Sequence, residues 1–412
     1  MRKVLLYSLL LVAGLIVSQF LGDAGALAIK VATMFALAFI MIHVGYEFEI
    51  DKSRPGQYAW DYVVAATAAT FPWIFCAAYF VFVMAPPELW GHPDLWKETL
   101  LESRFASPTS AGVLFSMLAA AGLAATWVFQ KARVLAIFDD LDTILLMIPL
   151  SFLMVGFRWQ LLAVVAVMVL LLWLAWKYLH LVRLPVTWPF VMGYAGAITL
   201  VCEAVHLGSK VIDSSVPIHL EVLLPAFVAG CLLARPKGQD PHAHDHLEGH
   251  EQGPEDPVEQ RVATIVSAAF MVLVGLSMPP IWQPAGAAGP DVPRLAYEGA
   301  SPEALAEKYT FPGWGTIGLH VLAITVLSNL GKMFPAVCYR REAAWRERLA
   351  VAVCMFPRGE VGAGVLVVSL SYGIGGPALT VAVLSLAVNL LCSGFFIWAV
   401  KRLLANVGRD AL

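Results

Sequence analysis

The chain has 412 residues, of which 59% are hydrophobic and 14% charged, and its mean hydropathy is +0.74. Too few polar residues remain to cover a soluble domain, so the composition is that of a polytopic membrane protein. A net charge of −3 and a pI near 6.4 exclude the basic excess that would hold nucleic acid.

A spanning helix needs about 20 apolar residues. Windows of that size fall at 4–21, 25–46, 58–84, 105–121, 126–157, 158–180, 187–208, 215–234, 258–280, 314–339, 347–371 and 376–403. The expectation is therefore an all-helical membrane protein of about 12 spans. The first window follows Met1-Arg-Lys and so has the basic and apolar parts of a secretory signal, but no small-x-small cleavage site comes directly after it. It is expected to stay as a span. The fourth window is short and the fifth long, which leaves their boundary weakly defined. Trp60, Trp176 and Tyr178, at segment ends, suit membrane-interface anchors.

Two linkers interrupt the pattern, Arg235 to Asp256 and Trp282 to Tyr309. The first carries His242-Ala-His-Asp-His246 and His250, which can bind a transition metal or sense pH. Its Gly, Pro and Glu fix no geometry, so it reads as a solvated linker. The six cysteines lie in or beside apolar runs without CxxC spacing and read as small core residues. Of the 27 Lys and Arg, 18 fall on the side of the N-terminus and seven on the other. Both termini are accordingly expected in the cytoplasm. The remaining two, Lys332 and Arg358, fall within apolar windows.

Each half of the chain contains one helix-breaking stretch, Ala106-Ser-Pro-Thr-Ser110 and Phe356-Pro-Arg-Gly-Glu-Val-Gly362. Each precedes a shared Ala-Gly-Val-Leu, in spans an odd number of crossings apart and so oppositely directed. This is the pattern of an inverted repeat in a secondary transporter. A proline such as Pro108 removes a donor and glycine loosens the backbone. Broken helices leave carbonyls and amides at membrane depth, where they can help bind an ion. A simple proline kink is the plainer alternative.

The fifth window holds Asp139, Asp140 and Asp142. An ionised Asp at the membrane centre costs roughly 2.5–3.5 kcal/mol on insertion scales, so such acids face a bundle interior and a partner. Lys332, in the tenth window, is the candidate. Asp139 lies six residues after Arg133 and Lys332 eight before Arg340, about 9 and 12 Å along a helix from those basic flanks. The two charges can thus share a depth. Adjacent Asp140 points about 100° away from Asp139 and can serve a different partner, a proton or a cation. A pair that only fixes packing is the alternative for Asp139 and Lys332. Glu203, Glu221 and His43, near span ends, can line a cation route or simply sit at the interface.

Leu135-Ala-Ile-Phe-Asp-Asp-Leu141, Ala106-Ser-Pro-Thr-Ser110, Gly331-Lys332 and Pro357-Arg-Gly-Glu-Val-Gly362 together resemble the bacterial sodium/proton antiporters of the monovalent cation:proton antiporter superfamily. The resemblance extends over nearly the whole chain. It implies two crossed broken helices supporting an aspartate pair, with Asp140 the principal cation and proton ligand and Asp139 the partner of Lys332. It makes Thr109 and Ser110 oxygen donors at the first break, and Arg358 and Glu360 supports at the second. Asp142 stands where many relatives have glycine and is an additional carboxylate. Ser110 stands where several have an acid.

The implied organisation is a scaffold of helices 1–2 over 1–57 and 6–9 over 158–312, the latter including the His-rich linker 235–257. The core comprises helices 3–5 over 58–157 and 10–12 over 313–403. The implied partners are sodium, with lithium or potassium as alternatives, protons, the lipid of the inner membrane and a second copy in a homodimer. No cofactor is expected, and no GxxxxGK[ST] motif supplies nucleotide energy. The rival readings are an ion-coupled symporter of an organic anion and an intramembrane aspartyl protease using Asp139 and Asp142. The protease needs acids from facing helices around one water, whereas these share one helix.

Overall fold

The computed structural model describes residues 2–21, 25–46, 55–155, 159–179, 181–212, 222–234, 257–277, 297, 301–371 and 374–405. Among these there is no β-strand, only an isolated bridge between Val182 and Leu233. Among the described residues six helices are long and apolar enough to cross a membrane, or seven if the bent pair Pro377–Leu391 and Ser393–Ala405 is one span. Other expected spans are short, interrupted or rich in charge. The His-rich linker, Glu221 and most of the second linker lie outside the described residues.

The helices in chain order are α1 (Arg2–Leu21), α2 (Ala26–Tyr46), α3 (Pro55–Tyr79), α4 (Pro93–Glu102), α5 (Ala111–Ala120) and α6 (Trp127–Val155). There follow α7 (Trp159–Lys177), α8 (Trp188–Ile212), α9 (Leu223–Leu232), α10 (Pro257–Leu276) and α11 (Pro302–Tyr309). The last are α12 (Trp314–Gly331), α13 (Phe334–Val337), α14 (Trp345–Cys354), α15 (Glu360–Ser371), α16 (Pro377–Leu391) and α17 (Ser393–Ala405).

Two compact units divide the chain. One comprises Gly25–Arg54 and Val155–Leu273. Its centre is the packing of α2 on α9, with α8 against α2 and α7 against α9. Gly45 and Gly230 make the first pairing possible. A Cβ on Gly45 would strike the Phe227 carbonyl, and one on Gly230 would strike the Ile42 carbonyl and stand 2.8 Å from the Tyr46 nitrogen. In lipid, where apolar burial does not draw helices together, such close backbone approach is the main source of association.

The other unit comprises Met1–Ala24, Pro55–Met154 and Val274–Leu412. It holds α1, α3 to α5, nearly all of α6, and α11 to α17. Here α12 packs between α3 and α16, and α14 against α13 and α17. Gly331 lets α12 meet the proline bend of α3, since a Cβ there would stand 2.8 Å from Pro72 Cα. The third expected span holds as α3 plus a π-helical turn, Phe80–Met84. The fourth is interrupted: α4 ends in a 3-10 turn, Ser103–Ala106, and a non-helical stretch leads from Ser107 to α5. The eleventh is interrupted likewise, between the end of α14 and the start of α15 at Glu360.

Candidate ion-binding site

The two interruptions lie against each other and satisfy each other's backbone. The Ser110 N–H donates to the Pro357 carbonyl at 2.9 Å, and the Thr109 hydroxyl to the Met355 carbonyl at 3.1 Å. Gly359 fits here because a Cβ would already touch the Ser110 side chain at 3.0 Å. The Ser110 hydroxyl accepts the Val113 N–H at 3.4 Å and so caps α5. Pro108, within the non-helical stretch, has no N–H to leave unmet.

Arg358 ties three segments together. Its Nε donates to the Ala106 carbonyl at 2.9 Å, Nη1 to Asn329 Oδ1 at 2.8 Å and Nη2 to the Ser328 carbonyl at 3.0 Å. The side chain is fully buried. A planar fork with fixed donors suits this work better than an ammonium. Glu360 opens α15, but its side chain lies outside the described residues.

α6 crosses beside these breaks. Asp139 is fully buried and takes Lys332 Nζ on both oxygens, at 2.9 and 2.8 Å. Its Oδ2 also accepts the Thr109 N–H at 2.7 Å. Lys332 is the C-cap of α12, where the helix dipole favours a cation, and the Thr109 amide lies at the amino end of α5, where it favours an anion. The sequence therefore brings each charge to a helix end of the opposite sign. Asp140 is 3% exposed, and its charge bears on Lys332. Asp142 is 5% exposed and lies 3.5 Å from the Tyr62 hydroxyl.

Of the residues singled out from sequence, Asp139, Lys332 and Thr109 meet directly, and Ser110, Pro108 and Arg358 form the crossing around them. Thr109 presents its amide to Asp139 and turns its hydroxyl to the second break. Glu203 bonds Lys30 at 2.8 Å, and His43 is held by the Phe39 carbonyl at 2.9 Å.

Two features escaped the sequence reading. Arg104, counted there among the seven basic residues on the side away from the N-terminus, is fully buried. It donates to Ser107 Oγ at 2.7 Å and to the Asp142 carbonyl at 3.0 Å, with its guanidinium 4.8 Å from the Trp73 ring. Its place three residues before Ser107, at the edge of an apolar window, was the available signal. Lys131, counted there among the 18 basic residues on the side of the N-terminus, is buried against Asp61 at 3.1 Å, and Tyr339 donates to the same carboxylate at 2.7 Å.

A family model described as sodium/hydrogen exchanger, transmembrane, matches residues 3–402. No curated protein matches the sequence. Among solved structures, the sodium proton antiporter MjNhaP1 from Methanocaldococcus jannaschii at pH 8 is similar, with a TM-score of 0.57 over 97% of this chain and 91% of that one. The identity is 14%, so the likeness is one of fold.

Proposed function

Because this chain belongs to the sodium/hydrogen exchanger family, we propose that it exchanges sodium for protons by competition at Asp140. It is a multi-pass membrane transporter and not an enzyme. The observation that carries the reading is the buried Asp139–Lys332 pair beside Asp140 at two crossed breaks. Lys332 neutralises Asp139, and Asp140 is the next buried carboxylate on the same helix. A buried carboxylate binds either a proton or a hard cation that prefers oxygen, and one excludes the other. Thr109 and Ser110 belong to the break whose backbone completes the ligand set, with Pro108, Arg358 and Glu360 holding the crossing. Asp142 adds a carboxylate one turn along α6.

In the proposed cycle Asp140 loses its proton, takes the cation and is then exposed to the other face by movement of the core, 58–157 and 313–403, against the scaffold. An inverted repeat relating the two breaks suits such alternation. The protein would act as a homodimer in the cell inner membrane with both termini cytoplasmic. The test is purified protein in proteoliposomes with a pH dye, given sodium, lithium or potassium in turn. Wild type is expected to release protons on sodium addition and Asp140→Asn to lose that response. Equal responses at every pH would reject the assignment.

A further inference from the structure

A second group of ionisable residues, apart from the aspartates of α6, surrounds the end of α4. Glu98 and Glu102 lie one turn apart on its buried face, at 2% and 1% exposure. Glu98 is fully engaged: Lys308 Nζ reaches it at 2.5 Å and the Tyr297 hydroxyl donates to the same oxygen. Lys308 also donates to the Tyr297 oxygen at 2.6 Å, and its ammonium lies 4.7 Å from each of the Tyr297 and Tyr309 rings. Burial and the Glu98 carboxylate push the Tyr297 hydroxyl well up, which keeps it a donor.

Glu102 is placed differently. Its Oε2 is buried with no hydrogen-bond partner among the described residues. The charged groups that bear on it are Glu98, which repels, and Lys308, which is already committed. Glu102 is also the last residue of α4, where the helix dipole disfavours an anion.

Among the described residues, no hydrogen bond or ion pair joins a second cation to it. On α4 itself, Lys97 pairs with Asp94 at 2.8 Å, and His92 lies 3.5 Å from the same acid. On α3 the Tyr79 hydroxyl engages His320 at 2.9 Å. The turn Phe80–Met84 and α16 carry no ionisable residue, and α15 has only Glu360. Arg104, two residues on, gives Nη1 to Ser107 and Nη2 to the Asp142 carbonyl; its Nε is buried without a hydrogen-bond partner among the described residues, and none of its nitrogens bonds Glu102.

Two carboxyls therefore share one lysine in a buried place, and one of them must carry a proton to avoid an uncompensated charge. We propose that Glu102 is a second proton-binding site, separate from the aspartates of α6, with the Glu98–Lys308 pair distinguishing its two states. With the proton on, Lys308 belongs to Glu98 and Tyr297. When it leaves to water, Lys308 is drawn between two carboxylates and its hold on Tyr297 loosens. α4 ends at Glu102 and Arg104 grips the first break, so the state of this site is felt there.

The test uses full-length protein carrying Asp140→Asn in lipid nanodiscs, so that its outcome is independent of the exchange site. Infrared difference spectra are recorded between acid and alkaline buffer. Adding Glu102→Gln is expected to remove one protonated-carboxyl band. Glu98→Gln, which frees Lys308, is expected to shift the midpoint of that band by about a pH unit or more to lower pH. Bands that persist unchanged with Glu102→Gln, or a midpoint unmoved by Glu98→Gln, would overturn the proposal. Should Glu102→Gln fail to assemble, Glu98→Gln alone decides, because it leaves Glu102 in place.

Discussion

Replacing Lys332 by methionine keeps a long apolar stem in the same space and removes only the ammonium. Asp139 then loses both contacts from Nζ and keeps the Thr109 N–H. Removing one member of a buried ion pair costs about 3–5 kcal/mol, because the other charge stays buried without compensation. Asp139→Asn should cost a similar amount for the mirror reason, while its amide oxygen can still accept from Thr109. The double variant buries no isolated charge and should lose only about 1–3 kcal/mol for the unpaired amide hydrogens. The coupling energy should therefore be at least about 3 kcal/mol, the upper end for residues in contact, and about 6 kcal/mol from the middle of these ranges. Cys76 and Cys354 are fully buried, so maleimide labelling during unfolding in mild detergent reports the folded fraction. Strict additivity, with the double variant as unstable as the two single losses combined, would refute the reasoning.

Arg358→Lys should destabilise by about 2–4 kcal/mol in the same assay, since one ammonium cannot reach Ala106, Ser328 and Asn329 together. Gly331→Ala should cost about 1–3 kcal/mol by forcing α12 away from Pro72, and the loss should be partly recovered in the double variant with Pro72→Ala. Gly230→Ala should cost a similar amount in the other unit by driving α9 off the Ile42 carbonyl. Thermal melting of the purified protein would detect it, and an unchanged melting temperature would show that α2 and α9 can separate freely.

The acids of α6 and Lys332 were legible because a charge within an apolar run demands a partner, and counting residues from basic flanks put them at one depth. The breaks were legible through Pro108, Pro357 and Gly359, although the first begins earlier, at the 3-10 turn Ser103–Ala106. α4 was not legible. Its buried face carries Glu98 and Glu102 beside Leu95 and Leu101, so the usual link between burial and hydropathy is inverted. Arg104 and Lys131 were misplaced for a related reason. Near the end of a window a basic side chain looks bound for water, and only tertiary partners such as Asp61 reveal that it turns inward.

The reciprocal bonding of the two interruptions restricts how this protein can move. The Ser110 N–H is met by the Pro357 carbonyl and the Ala106 C=O by Arg358, both across the crossing. Separating them in hydrocarbon would strand polar groups at several kcal/mol apiece. The crossing should therefore travel as one cassette, so that a bound ion keeps the same escorts on its way from one face to the other.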